Sequence, residues 1–278
     1  MRLISNMVAA IAGLGDGAVA RLEEFGDFCR FSGQSWGWAM VGPPRWRAFR
    51  LLFPQFYAVA TQSIPVVIVT GVFVGAVLAV QAQEQFKAIN LESRMGTVVI
   101  LSVLRELGPV LAGVMLAGRV GGAFTAELGT MRVTEQIDAL RVMGADPLRV
   151  LVAPRMLACS LMMPVLVLYA SFMGILGGYF VSVYVYGVNG PEFWRYAATG
   201  IRLFDIFQGP IKSVFFGAAI SMICCFKGFR CSAGAAGVGR ACTEAFVASC
   251  MAILAMDFFV GIFLNSLDAF FNGLRSSI

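Results

Sequence analysis

Two adjacent charges, Arg105 and Glu106, lie in the middle of residues 97–118, a stretch that is otherwise almost wholly apolar. As a helix this stretch would be about 33 Å long, which is enough to cross a bilayer. A central Arg or acidic residue costs roughly 2.5–3.5 kcal/mol on insertion scales, so such residues normally face a protein interior or a watery cavity. Two interpretations follow: a structural ion pair between helices, or a place on a transport pathway. We favour the second, because intramembrane ionisable residues commonly mark substrate routes.

The composition indicates a membrane protein. Hydrophobic residues make up 59% of the chain and charged residues only 13%, whereas soluble domains are about one quarter charged. The net charge of +5 is small and dispersed, so it does not favour nucleic acid as a partner. With no His and no Cys-x-x-Cys motif, the sequence predicts no metal site, and its seven cysteines are interpreted as small buried apolar residues.

Five apolar blocks are each long enough to span a bilayer. They comprise residues 64–83, 97–118, 156–186, 206–226 and 245–264. Lys and Arg are concentrated before the first block, in residues 119–155 and in residues 227–244. By the positive-inside rule these segments are cytoplasmic. The amino terminus is then predicted in the cytoplasm and the carboxyl terminus in the periplasm.

The predicted fold is an all-α integral membrane protein with five transmembrane helices in residues 61–266. The third block exceeds one untilted span, and we predict one tilted helix, because a hairpin would place Lys227, Arg230 and Arg240 outside. Residues 267–278 are predicted to be an external tail.

Residues 1–60 mix charged and apolar residues, and we predict an amphipathic helix at the cytoplasmic interface there. The alternative is a cleaved signal peptide, since Arg2 precedes a short apolar run. We prefer the interfacial helix, because cleavage of a signal peptide would place Arg45, Arg47 and Arg50 on the wrong side of the membrane.

A short cytoplasmic helix is predicted between the second and third spans. Thr134 would cap its start with Glu135 in the first turn, and Gly144 would follow its end. Ile137 and Leu140 would share one face with Val133, Arg141 would lie near the carboxyl end, and Asp146-Pro147 would begin the next helix. So short a helix needs a docking surface. Spacing alone leaves two options open, its own membrane domain or a partner protein.

The sequence offers no catalytic machinery. None of the lysines, Lys87, Lys212 and Lys227, follows a glycine, so the G-x-x-x-x-G-K phosphate-binding loop is missing. The glycine cluster at 234–239 follows no predicted strand and is interpreted as a cytoplasmic turn. Without His, a Ser-His-Asp triad is impossible. We therefore predict a chain that is not an enzyme, with no cofactor of its own.

Small residues recur at helical spacing in the first and third blocks. Gly71 and Gly75 form one G-x-x-x-G motif, and Gly174 and Gly178 form another; such faces let helices approach closely. One side of the first helix forms a mainly apolar strip that becomes polar at its outer end: Gly71, Gly75, Leu78, Ala82, Gln85 and Ile89, with Phe86 adjacent. On pattern alone, ordinary helix packing is the favoured interpretation of this strip.

Several motifs resemble one known family, the MlaE (YrbE-type) permeases, which are the membrane subunits of lipid-transporting ABC systems. The similarity covers roughly residues 50–265. The motifs are Leu-Arg-Glu-Leu-Gly-Pro at 104–109, Ala-Gly-Arg at 117–119, Thr-Ala-Glu at 125–127, the run at 129–140, Met-Gly-Ala-Asp-Pro at 143–147, Pro-Arg at 154–155, Gly-Val-Gly-Arg-Ala at 237–241 and Ala-Ile-Leu-Ala-Met-Asp at 252–257. Glu244 departs from the family pattern, which has a neutral or basic residue after the Gly-Val-Gly-Arg turn.

The resemblance implies the remaining partners and roles. The helix at about 132–144 would be a coupling helix in a groove of a separate ATP-binding cassette subunit, which would bind ATP and Mg²⁺. The chain would form a homodimer in the cell inner membrane, with a lipid cavity between the copies and an MCE-domain lipid-binding protein outside. The residues implied for coupling are Thr134, Glu135, Ile137, Asp138, Leu140 and Arg141; those assigned to the substrate pathway are Arg105, Glu106, Leu107, Leu78, Gln85, Phe86 and Ile89.

Two other classes of function remain as alternatives. In an ion-coupled secondary transporter, Glu106 and Asp257 would relay protons; an inverted repeat would favour this class, and we find none in the sequence. A scaffold without transport activity would tolerate neutral residues at these charged positions.

Overall fold

The computed structural model describes Val19 and residues 22–38, 46–88 and 94–276, and this part of the chain is helical without any strand. The α-helices are α1 (22–38), α2 (Trp46–Val59), α3 (Ile64–Ala88), α4 (Met95–Ser102), α5 (Gly108–Leu116), α6 (Gly122–Val133), α7 (Gln136–Val142), α8 (Ala153–Phe180), α9 (Gly190–Gly200), α10 (Leu203–Phe229) and α11 (Ala235–Ser276). A 3₁₀ turn joins α2 to α3, and π-helical turns join α4 to α5, α5 to α6 and lead into and out of α8.

Five continuous helical stretches are long and apolar enough to cross a membrane, as predicted. They are span 1 (Leu52–Ala88), span 2 (Met95–Val133), span 3 (Leu148–Val185), span 4 (Leu203–Phe229) and span 5 (Ala235–Phe270). The long third block is one continuous helix, as predicted. The helices extend past the apolar blocks because their flanking polar residues are also helical; most of the tail predicted from residue 267 continues α11.

Spans 1 and 3 cross through the two predicted glycine motifs. A Cβ atom on Gly75 would lie 1.7 Å from the carbonyl oxygen of Gly174, and one on Gly71 would lie 2.6 Å from that of Ala170. Any larger side chain at these positions would force the backbones apart. The motifs therefore support packing within one subunit.

Span 4 lies at the centre of the bundle, packed on spans 2, 3 and 5. Phe216, Ile220 and Cys224 on this span belong to the main core cluster, together with Met163 on span 3 and Ile253 on span 5. A polar side chain on span 4 is thus surrounded by protein. A charged residue on this span must therefore find its partners on the neighbouring spans.

Helix α1 packs on the end of span 4 that leads to span 5. Phe28 and Phe31 contact the ring of Phe226 edge to face, with centroid distances of 5.3 and 5.5 Å. Lys227 donates to Glu24 at 2.8 Å and to Glu244 at 3.3 Å, and the ammonium lowers the pKa of the Glu24 carboxyl. Glu244 thus has a cationic partner. The predicted interfacial position of residues 1–60 stays a prediction.

Candidate functional site

The helix of span 2 changes its winding at the charged pair. Val103–Leu107 form a π-helical turn, and the N–H of Gly108 bonds the carbonyl of Val103, five residues earlier. Pro109 follows and has no N–H to donate to the carbonyl of Arg105. Span 2 thus contains a π turn just before Pro109, and the missing N–H of Pro109 leaves the carbonyl of Arg105 available to another helix.

Arg105 binds the start of span 4. Its guanidinium forms an ion pair with Asp205, to which Nε donates at 3.0 Å. The Asp205 side chain is only 2% exposed, and it also accepts from the backbone N–H of Arg202 at 2.8 Å, capping the helix of span 4. Arg105 thus joins span 2 to the cap of span 4.

Glu106 faces a different partner, Lys212, whose side chain is 0% exposed. The Lys212 Nζ donates to Glu106 Oε2 at 2.8 Å and to Asp257 Oδ1 at 3.0 Å. It also donates to the carbonyl of Arg105 at 3.2 Å, the acceptor that Pro109 leaves without a helical partner. We call Lys212, Glu106 and Asp257 the Lys212 cluster; it joins spans 2, 4 and 5.

The two adjacent charges have separate partners, Asp205 for Arg105 and Lys212 for Glu106. Both residues make ion pairs between helices, as the structural interpretation predicts. Their environments differ, however. The Glu106 side chain is 48% exposed, whereas the groups that hold it are buried. Together with Asp205 and Arg105, the cluster has three carboxylates for two cations.

Sequence reasoning missed two members of this site. Lys212 lies inside the fourth apolar block, and the rule that singled out Arg105 applies to it equally. Asp205 directly precedes that block, where an acidic residue also suits the start of a helix. Asp257 had been named only for the ion-coupled alternative.

The other predicted pathway residues lie apart from the Lys212 cluster. Leu107 lines a small cavity with Thr70, Gly71 and Val74 on span 1. Leu78 and Phe86 pack on a separate cluster that contains Ala79, Ala82, Met95 and Val99. Gln85 is exposed, and Ile89 lies outside the described residues. For Leu78 and Phe86 the contacts fit helix packing, and their role in a pathway stays a prediction.

The start of the predicted coupling helix requires a correction. Helix α7 begins at Gln136, because α6 continues to Val133 and Thr134 ends it. The Thr134 hydroxyl donates to the carbonyl of Thr130 at 2.8 Å instead of capping α7. Glu135 then adopts a left-handed conformation, with φ of 60°, and separates the two helices. The predicted cap at Thr134 and first-turn position of Glu135 are therefore wrong.

The end of α7 agrees with the sequence. Gly144 has a φ of +73°, and its N–H bonds the carbonyl of Arg141 at 3.0 Å. The N–H of Ala145 bonds the carbonyl of Leu140 at 3.0 Å, which completes a Schellman motif. Asp146 Oδ1 accepts the N–H of Leu148 at 2.9 Å and begins the next helix.

The apolar residues of α7 divide into two sets. Ile137 is completely buried in its own subunit, and Leu140 is half-buried. Val133, predicted on the same face, is exposed on α6 because the two helices are separate. Val142 and Met143, at the end of α7, are 88% and 72% exposed. The helix therefore docks on its own membrane domain and presents other apolar residues outward.

Polar contacts hold this arrangement. Asp138 accepts from Arg132 at 2.7 Å and from Arg141 at 3.0 Å. One carboxylate thus ties α7 back to the end of span 2.

Five membrane-length helices joined by buried interhelical ion pairs define a multi-pass α-helical membrane protein. The profile of one family, Permease MlaE, matches residues 52–263. The chain belongs to the MlaE permease family, as its motifs predicted.

Curated relatives agree with this membership. A probable ABC transporter permease protein of Rickettsia typhi is 41% identical over 222 residues, which are 80% of this chain and 85% of the relative. The intermembrane phospholipid transport system permease protein MlaE of Haemophilus influenzae is 38% identical over 79% of this chain and 85% of its own. The chloroplastic protein TRIGALACTOSYLDIACYLGLYCEROL 1 of Arabidopsis thaliana is 38% identical over 83% of this chain and 64% of its own.

Proposed function

We propose that this chain is the membrane subunit of an ABC transporter that moves phospholipid-like amphiphiles between the inner membrane and an MCE-domain partner. Family membership and the printed name of the Haemophilus relative support the substrate class. The observation that carries the proposal is the match of the MlaE permease family to residues 52–263. Within the bundle, the Lys212 cluster offers a half-exposed glutamate, held by a buried lysine between three spans, as the candidate contact for the substrate. A separate ATPase subunit would bind ATP and Mg²⁺.

The substrate would pass beside Glu106, with Arg105 bracing the helix behind it. Leu107, Leu78, Gln85, Phe86 and Ile89 remain assigned to the pathway by the family resemblance. A homodimer would place the lipid cavity between two copies. Span 5 offers an outward apolar face for such a contact, since Phe258, Phe259 and Phe263 are exposed.

An ion-coupled transporter is the second candidate, because Glu106 and Asp257 hold the same ammonium. The two candidates differ in their energy source. Transport that requires the ATPase subunit and persists without an ion gradient supports the ABC assignment, and transport driven by a proton gradient alone supports the alternative.

The proposed orientation places the amino terminus in the cytoplasm and the carboxyl terminus in the periplasm. Single cysteines introduced at Asn90 and Ala236, in a variant whose native cysteines are replaced, are expected to react with an impermeant reagent from opposite sides. Residues 84–96 would be labelled from outside intact cells, and residues 227–244 only after permeabilisation. Labelling of both positions from one side would end the five-span orientation.

Coupling to the ATPase is expected to depend on Met143 and its neighbour Val142. Burying one such side chain contributes about 1.5–3 kcal/mol, so Met143→Asp should weaken ATPase association about tenfold or more. Leu140, half-buried, would contribute less. The measurement is ATPase recovery with the purified chain, together with ATP-driven lipid transfer in reconstituted vesicles.

The matched control for this experiment is Ala198→Asp on α9, an exposed position at the opposite end of the spans. It should leave ATPase recovery unchanged. Ile137→Asp is expected to loosen α7 itself, because its side chain is buried within the subunit. Parental ATPase binding and transport in Met143→Asp would show that α7 packs on its own subunit without transmitting force.

A further inference from the structure

We propose that a cavity at one end of the helical bundle binds the phosphate of an anionic phospholipid headgroup. The cavity has a volume of about 360 Å³ and lies where α1 and α7 meet the ends of spans 2, 3 and 4. Four arginines contribute to its lining: Arg30, Arg132, Arg141 and Arg230. It lies at the end of the spans, apart from the Lys212 cluster in their interior.

The charges of the cavity are only partly compensated. Arg230 pairs with Asp27 at 2.7 Å. Arg132 and Arg141 share Asp138, which is not one of the lining residues. Asp146, the other acidic residue of the lining, accepts a backbone N–H.

Arg30 has no ion pair or hydrogen bond with any residue in the described part of the chain. A planar guanidinium fits a phosphate by paired hydrogen bonds. The cavity therefore contains one unpaired guanidinium, that of Arg30, beside the three paired guanidinium groups of the other arginines. A phosphate can accept further hydrogen bonds from these three groups.

Part of the remaining lining is apolar, and this part indicates a lipid as the source of the phosphate. Phe31, Leu148 and Phe229 line the cavity alongside the arginines and are partly accessible. Such surfaces suit the glycerol and first methylene groups of a phospholipid, whereas a free phosphate ion gains nothing from them. The volume lies in the range of small-molecule pockets, roughly 300–1,000 Å³.

The position of the cavity along the bundle axis is one that a lipid headgroup would occupy. Phe229 ends span 4 and Leu148 begins span 3, and both residues line the cavity. Helix α1, which forms one wall, also exposes Leu22 and Phe25, as expected of a helix beside acyl chains. Basic pockets between span ends are typical headgroup sites. This inference needs only that the span ends lie at a membrane surface and does not rest on the proposed transport function.

The test is a titration of the purified full chain in neutral detergent with phosphatidylglycerol, followed by native mass spectrometry. Parental protein is expected to retain this lipid in preference to phosphatidylcholine. Arg30→Gln should weaken its retention about tenfold or more, because a charge-assisted pair is lost. Arg30→Lys keeps the charge but loses the paired hydrogen bonds, so its retention should fall between that of the parent and that of Arg30→Gln.

The matched control is Arg149→Gln, which removes an exposed arginine near α1 that stacks on Trp38 and does not line the cavity. It should bind phosphatidylglycerol as the parent does, and a thermal melt should show both glutamine variants to be folded. Equal losses in both variants would indicate general surface charge and overturn the proposal. Parental binding by Arg30→Gln would also overturn it.

Two further experiments identify the molecule that carries the phosphate. Inorganic phosphate should compete with the lipid only at far higher concentration; competition at equal concentration would make the ligand a soluble phosphate compound. If Arg30→Gln weakens ATPase association while lipid retention stays parental, the cavity is a protein contact and the lipid assignment is wrong.

Discussion

Replacing Lys212 with methionine is expected to lower the free energy of unfolding by roughly 3–5 kcal/mol, the cost of breaking a buried ion pair by removing one partner. The ammonium is fully buried and holds Glu106, Asp257 and the carbonyl of Arg105. Methionine fills a similar volume but leaves all three acceptors without a donor. Thermal or denaturant unfolding of the purified chain in one detergent measures the change.

The control for this substitution is Lys87→Met, which removes an exposed lysine from the last turn of α3 and should change stability by less than about 1 kcal/mol. Adding Asp257→Asn to Lys212→Met should recover part of the loss, because one uncompensated charge is then gone. A Lys212→Met variant as stable as the parent would show that the cluster contributes nothing net to the fold.

The sequence predicted those features that depend on local pattern. The lengths of the apolar blocks correctly predicted five spans. The positions of Lys227, Arg230 and Arg240 correctly predicted that the third block is a single helix. Gly144 gave the end of α7, because a glycine with positive φ is the usual residue after a helix.

The features that could not be predicted from the sequence depend on how the helices are rotated and packed against one another. Asp205 and Arg105 are 100 positions apart in the chain, and no local pattern pairs them. Ile137 and Leu140 lie three residues apart, as one helical face requires, yet only Ile137 is buried, because the fold fixes how α7 sits on the membrane domain. Thr134 has the chemistry of a helix cap, but α6 continues far enough to include it in its own last turn.

Arg105 and Glu106 thus have different surroundings. We therefore expect substitutions of Arg105 to affect mainly stability and substitutions of Glu106 to affect mainly transport. Arg105 is paired with a nearly inaccessible carboxylate that also caps span 4. Removing it disturbs the packing of two spans. Glu106 contacts a lysine that keeps Asp257 as a second partner, and its own side chain is half-exposed. Removing the charge of Glu106 leaves the three spans joined.

Glu106→Gln is therefore expected to keep the fold and to lower lipid transport about tenfold or more, since a hydrogen bond to a charged group contributes about 1.5–3 kcal/mol. The glutamine amide can still accept from Lys212, so the melting temperature should stay near the parental value. Arg105→Gln should instead lower the melting temperature, with transport falling in proportion to the folded fraction. Both are measured as ATP-driven lipid transfer in vesicles with equal amounts of inserted protein. If both variants insert and transport lipid at the parental rate, the pair is neither gate nor substrate contact, and the ion pairs are purely structural.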